Sequence, residues 1–148
     1  MRLMAAVTGG AVLLLAAVGF VSVFSASPAT AAYRGIPDFD EVGSTGGEDT
    51  FYNGDPLVEW TDHGKTFAVV LWGSGSCPVL ATSLDVVSAD EVTITFEGPD
   101  DGLCTLDSSA FTHEFDVPNG ANDLPLTVSV VRPAGPGAQL VESFLLPE

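Results

Sequence analysis

The stretch Val92-Thr93-Ile94-Thr95-Phe96 places apolar side chains at alternate positions with threonines between them, and Gly98-Pro99-Asp100-Asp101-Gly102 follows almost at once. Strict alternation sends successive side chains to opposite faces of an extended chain, so one face suits a core and the other water. Branched and aromatic residues fit such a pleated, half-buried surface. The Gly-Pro-Asp-Asp-Gly run then ends the segment with strong turn chemistry. The stretch predicts a β-strand, and the same pattern recurs on both sides of it.

Upstream, Leu80, Leu84 and Val86 share one face of a run that Ser88-Ala89-Asp90 can turn back. Phe67-Ala68-Val69-Val70-Leu71-Trp72 is almost continuously apolar, as expected of a central strand covered on both faces. Asp62-His63-Gly64-Lys65 reads as a hairpin turn leading back to a run in which Val58 and Trp60 alternate with polar neighbours. Downstream, Phe111, His113, Phe115 and Val117 fall opposite Thr112, Glu114 and Asp116. Pro118-Asn119-Gly120 turns the chain. Leu124, Leu126, Val128 and Val130 then alternate with polar residues, Pro133 to Gly137 turns again, and Leu140 to Leu146 forms a last strand. No helical period outlasts a turn. The expected fold is all-β: a single small antiparallel sandwich or barrel of about seven strands over residues 57–148.

The chain has 148 residues, 4 basic and 20 acidic, for a formal net charge of −16. That length suits one domain. Four bases cannot neutralise a run of phosphates, so nucleic acid is excluded as a partner, and an anionic membrane surface repels the domain. The charge is unevenly placed. Residues 1–32 hold one base, Arg2, then a long apolar run and the small-residue close Ser25-Ala26-Ser27-Pro28-Ala29-Thr30-Ala31-Ala32. These are the parts of a secretory signal peptide, with Ala29-Thr30-Ala31 matching the peptidase rule and a mature start at Ala32 or Tyr33. The alternative is an N-terminal membrane anchor, since the run reaches the roughly 20 residues that a spanning helix needs. Without the leader, 20 acids face three bases (Arg34, Lys65, Arg132), a net −17.

Residues 33–56 combine six acids, among them Asp38, Asp40 and Glu41, with five glycines and two prolines. They read as a disordered, flexible acidic linker, because so polar a segment buries too little surface to offset its ordering entropy. Cys77 and Cys104 are the only cysteines. An even pair in an exported chain reads first as a disulfide, worth about 3–4 kcal/mol for a loop of this length in the chain-entropy account.

The segment Trp72-Gly73-Ser74-Gly75-Ser76-Cys77-Pro78, followed by Cys104-Thr105-Leu106-Asp107, resembles an uncharacterised family of small exported actinobacterial proteins. In that family a hydrophobic strand runs into a Gly-Ser-x-Ser-Cys-Pro turn, and a Cys-Thr-x-Asp element follows after a hairpin. The resemblance spans roughly residues 57–120. It implies that both cysteines are family features and assigns no activity. Gly75 departs from the pattern, standing where most members have serine.

The candidate chemistry is sparse. Ser74 and Ser76 with His113 raise a serine-hydrolase reading, but neither serine has the Gly-x-Ser-x-Gly setting of a nucleophile elbow. A tight turn that carries Gly73, Ser74, Gly75, Ser76 and Pro78 into the disulfide is the simpler account, its glycines permitting positive φ. His113 among phenylalanines reads as a packed core residue, and His63 as a turn residue, with no metal-ligand spacing around either. Asp100, Asp101 and Asp107 are the best local candidates for Ca²⁺, although no EF-hand spacing is present. Trp60, Trp72 and the phenylalanines follow the core pattern. The expectation is therefore an exported, non-enzymatic β domain without cofactor, meeting an unknown protein or envelope component through its surface. A membrane is involved only if the leader is retained as an anchor. A Ca²⁺-binding extracytoplasmic domain is the alternative, and a serine hydrolase the second alternative.

Overall fold

A computed structural model of the chain describes residues 26–37, 55–99 and 103–148. Its strands are β1 (Ala31–Arg34), β2 (Leu57–Asp62), β3 (Thr66–Gly73), β4 (Leu80–Ser88), β5 (Glu91–Glu97), β6 (Ser109–Asp116), β7 (Leu126–Gly135) and β8 (Ala138–Leu146). They form two four-stranded sheets, ordered β1-β6-β3-β2 and β4-β5-β7-β8. Every pairing is antiparallel except β5 with β7, which run parallel because the chain visits the other sheet as β6 between them. The architecture is the expected β-sandwich, with no helix among the described residues and hence none long and apolar enough to cross a membrane.

The core lies between the sheets. Val92, Ile94 and Phe96 of β5 are buried, as are Phe67, Val69 and Leu71 of β3, Phe115 of β6, and Leu126, Val128 and Val130 of β7. Fully burying a side chain of this size stabilises by about 1.5–3 kcal/mol relative to leaving it exposed. β3 sits between β6 and β2, and Ala68 and Val70 on its outer face are buried too, which accounts for its unbroken apolar run. The turns fall where the sequence places them: Gly64 at φ 72° in the β2–β3 hairpin and Gly120 at φ 101° between β6 and β7.

Two sequence expectations are corrected. Leu80, Leu84 and Val86 do not share a face. A bulge between Ala81 and Ser83 shifts the register, so Leu80 stands opposite Glu97 and is 52% exposed, while Ala81 takes the buried place opposite Phe96. An extra residue in one strand reverses the facing of everything before it. The second correction concerns the linker. Residues 38–54 lie outside the described residues, as do residues 1–25 of the expected leader. However, Tyr33 and Arg34 belong to β1, an edge strand with Ala31↔Glu114, Ala32↔His113, Tyr33↔Thr112 and Arg34↔Phe111 in register. The expected linker therefore loses Tyr33 and Arg34 at its start.

Each open side of the sandwich is closed by one polar contact. Trp60 Nε1 on β2 donates to Pro147 O, after β8, at 3.0 Å. On the opposite side Ser27 Oγ donates to Ala81 O of β4 at 3.1 Å, and Ala29 packs against the core.

Candidate functional site

Two connections cross between the sheets at one end of the sandwich. β3 leads to β4 through residues 74–79, and β5 returns to β6 through a segment whose described parts are 98–99 and 103–108. Cys77 lies on the first and Cys104 on the second. They form a disulfide with a Cα–Cα distance of 5.4 Å. The bond ties the β4–β5 hairpin to the opposite sheet at its two crossovers.

Around it the short polar side chains bond one another. Asp107 accepts Gly75 N–H at 3.2 Å on each carboxylate oxygen, the Ser109 hydroxyl at 2.7 Å and the Thr105 hydroxyl. Ser74 Oγ lies 3.0 Å and Ser76 Oγ 3.2 Å from Thr105 Oγ1, and 3.2 Å from each other. Thr105 N–H donates to Ser76 Oγ at 2.9 Å. A hydroxyl has one proton. With that of Thr105 given to Asp107, Thr105 Oγ1 is left to accept from the serines, which also lie within reach of each other. The Arg34 guanidinium donates to Gly75 O and sits 5.9 Å from the centre of the Phe111 ring, which fastens β1 to this corner.

The arrangement lowers the reactivity of its own carboxylate. Hydrogen bonds from Thr105, then Ser109, then Gly75 N–H favour the ionised form and hold Asp107 down to about 2. A carboxylate of that strength is a poor base at neutral pH, since general-base catalysis wants a pKa near the working pH. Gly75 is required for a reason other than its φ. Neither Gly73 nor Gly75 has positive φ, which corrects that expectation. Instead, a Cβ on Gly75 would lie 2.5 Å from Asp107 Oδ2 and 2.9 Å from Ser109 Oγ. A serine side chain at this position would meet that obstruction.

His113 is not near the serines' exposed side. It lies fully buried between the sheets, 5.1 Å from the Phe96 ring in an edge-on contact, and faces Val69 across the strands. Neither ring nitrogen has a hydrogen-bond partner of good geometry. Burial pulls its pKa below the ordinary histidine value, opposed in smaller measure by the Val79 backbone. His63 is exposed in the β2–β3 turn beside Trp60, at 5.5 Å between rings.

Asp100 and Asp101 fall outside the described residues. Both Asp107 oxygens already accept protein donors, and no group of three or more His, Cys, Asp or Glu side chains able to hold a metal occurs among the described residues. Beneath the corner is a cavity of about 140 Å³ lined in part by Leu71, Trp72, Cys77 and Phe111. Sites for drug-sized ligands run from roughly 300 Å³ upward. A shallower opening of about 670 Å³ beside the β7–β8 hairpin is walled mostly by glycine and proline, with Glu97 the sole charged residue among the described ones.

Sequence reading found Cys77, Cys104, Ser74, Ser76 and Asp107, and the structure brings them together. It missed Thr105, Ser109 and Arg34 as parts of the same cluster. The spacing Thr105-x-Asp107-x-Ser109, two residues apart throughout, was the available signal for the first two. Arg34 had none, because its contact is made across the sheet. Neither a family model, nor a curated protein, nor a solved structure gives a significant match to this chain. The corner is therefore read from its own geometry.

Proposed function

We propose that the protein is an exported β domain without catalytic activity, acting at the cell envelope or outside the cell through contacts of its surface with another macromolecule. The observation that carries this reading is the closure of the polar cluster at the disulfide corner upon itself. Its hydroxyls bond one another, its carboxylate is tied to three donors and held at low pKa, and the histidine that a hydrolase would need is in the core. The formed disulfide supports an oxidising compartment. The acidic surface supports solubility and disfavours polyanionic partners.

The test is exposure of the purified, oxidised protein to a fluorophosphonate probe, with a parallel melt in millimolar Ca²⁺. No label on Ser74 or Ser76 and an unchanged Tm are expected. Labelling of either serine overturns the reading in favour of a hydrolase. A rise in Tm that grows with Ca²⁺ concentration overturns it in favour of a cation-binding domain, by ligand linkage.

A further inference from the structure

From the place of residues 27–34 in the sandwich we infer that signal peptidase cuts this chain between Ser25 and Ala26, upstream of the Ala29-Thr30-Ala31 site, so that the mature protein keeps its first strand. The inference rests on the proposed export.

The Ala-Thr-Ala-Ala run looks like the close of a leader, yet it is built into the fold. Thr30 N–H donates to Glu114 O at 2.8 Å and Gly35 N–H to Ala110 O at 3.0 Å, which extends the pairing of β1 with β6 at both ends. Ser27 Oγ reaches across to Ala81 O at 3.1 Å, linking the edge of one sheet to the edge of the other. Ala29 packs on the apolar cluster. A cut after Ala31 would delete Ser27, Ala29 and Thr30, uncovering the sandwich on the β1–β4 side. It would leave Ala32, Tyr33 and Arg34 as a three-residue strand. The side chain of Tyr33 donates to Glu114 Oε1 at 2.7 Å and that of Arg34 to Gly75 O, and both would then be held by this remnant. An edge that loses its strand also presents the free N–H and C=O groups of β6 for pairing with another chain.

The peptidase asks for a small residue before the bond and a small or branched aliphatic one two positions earlier. Ser25 and Val23 meet both requirements. Ser25-Ala26-Ser27 offers a second small-residue pair, but the next residue is Pro28, whose ring replaces the N–H of the bond to be cut. Hydrolysis of the Ser25–Ala26 bond adds one water across it, leaving a carboxylate on Ser25 of the leader and an ammonium group on Ala26. That amine stands one residue before Ser27, at the start of the segment the structure places.

The test is the intact mass and N-terminal sequence of the protein made from the full chain in a secreting bacterial host. The expected product runs from Ala26 to Glu148 with an oxidised disulfide. Ser25→Leu is expected to accumulate the uncut precursor, and Ala31→Leu to leave the N-terminus at Ala26. A mature start at Ala32 or Tyr33, or a precursor retained in the membrane with its disulfide formed, overturns the cleavage site while export stands. Full-length chain in the cytoplasm with free thiols overturns the export reading as well.

A chain started at Ala32 gives a second readout, independent of any peptidase. It is expected to melt at least ~5 °C below a chain started at Ala26, a shift of the size that about 1 kcal/mol produces in a small domain. Equal melting of the two chains removes the physical ground for the inference.

Discussion

The centre of the sandwich and its disulfide corner are held by opposite means. At the centre, Phe67, Phe96 and Phe115 are fully buried, with Phe67 and Phe115 stacked at 5.5 Å and Phe96 edge-on to Phe115 at 6.4 Å. No direction is imposed there beyond shape, and the stabilisation scales with area removed from water. At the corner, Ser76, Cys104, Thr105 and Asp107 are exposed. Leu103 and Leu106 stay fully exposed there rather than packing, so position is set by a covalent bond and by directional hydrogen bonds. The centre tolerates a change of side chain that preserves volume. The corner tolerates changes of area but not of geometry.

The largest test of that contrast is removal of the bond. Cys77→Ala with Cys104→Ala should lower stability by about 3–4 kcal/mol, the chain-entropy value for a loop of this length. Denaturant unfolding of the oxidised protein and the double variant measures it. The far-ultraviolet signature of the sandwich should survive in the variant at low temperature, since the centre is untouched. A loss under about 1 kcal/mol would mean that the hydrogen bonds alone hold the crossovers, and the contrast would fail.

Next in size is Gly75→Ala. One methyl group placed 2.5 Å from a carboxylate oxygen must displace Asp107 and with it the bonds to Thr105 and Ser109. Both obstructing atoms are side-chain ends that can turn aside, so the cost is that of the hydrogen bonds lost, about 1 kcal/mol. Because no positive φ is involved, the penalty comes wholly from the collision. Gly75→Ala combined with Asp107→Ala should therefore recover part of the loss. If the double variant is no better than the sum of the singles, the obstruction lies elsewhere.

The legibility of the chain follows the same division. The centre could be read because alternation is a local signal: Val92, Ile94 and Phe96 announce both their strand and their inward face. The bulge at Ala81/Ser83 defeated that signal in β4, since nothing in Leu80-Ala81-Thr82-Ser83-Leu84 marks where an extra residue is inserted. β1 was hidden for a different reason. Small residues that suit an edge strand against β6 are the same residues that suit a peptidase. At the corner the residue types were legible and the contacts were not. Gly75 meets Asp107 across 32 residues of chain, and Arg34 reaches Gly75 O across 41. Local spacing carries no record of either.

The smallest test lies at His113, a polar side chain buried in the centre. His113 is buried against Phe96 with no well-formed hydrogen bond at either ring nitrogen, so its pKa is depressed, chiefly by burial and against a smaller opposing effect of the Val79 backbone. In the unfolded chain it titrates near the ordinary value of about 6.5. As the pH falls below that value, the unfolded chain binds a proton that the fold refuses, and stability drops with a limiting slope of about 1.4 kcal/mol per pH unit. Asp107 acts in a separate window. Its depressed pKa contributes stability that is present above about pH 4 and lost as the pH falls towards 2. Glu59, raised by desolvation, works in the opposite sense, its contribution growing as the pH falls. Between pH 7.5 and 5.5 the histidine should dominate. His113→Leu replaces it by an apolar side chain of similar bulk and removes two buried nitrogens that lack well-formed hydrogen bonds. At neutral pH it should be neutral or stabilising by about 1 kcal/mol. Its unfolding free energy should also stay level to pH 5.5 while that of the parent declines. A variant that keeps the parent's slope would show that the proton is taken up elsewhere, and that the centre is as purely apolar in its energetics as its phenylalanines suggest.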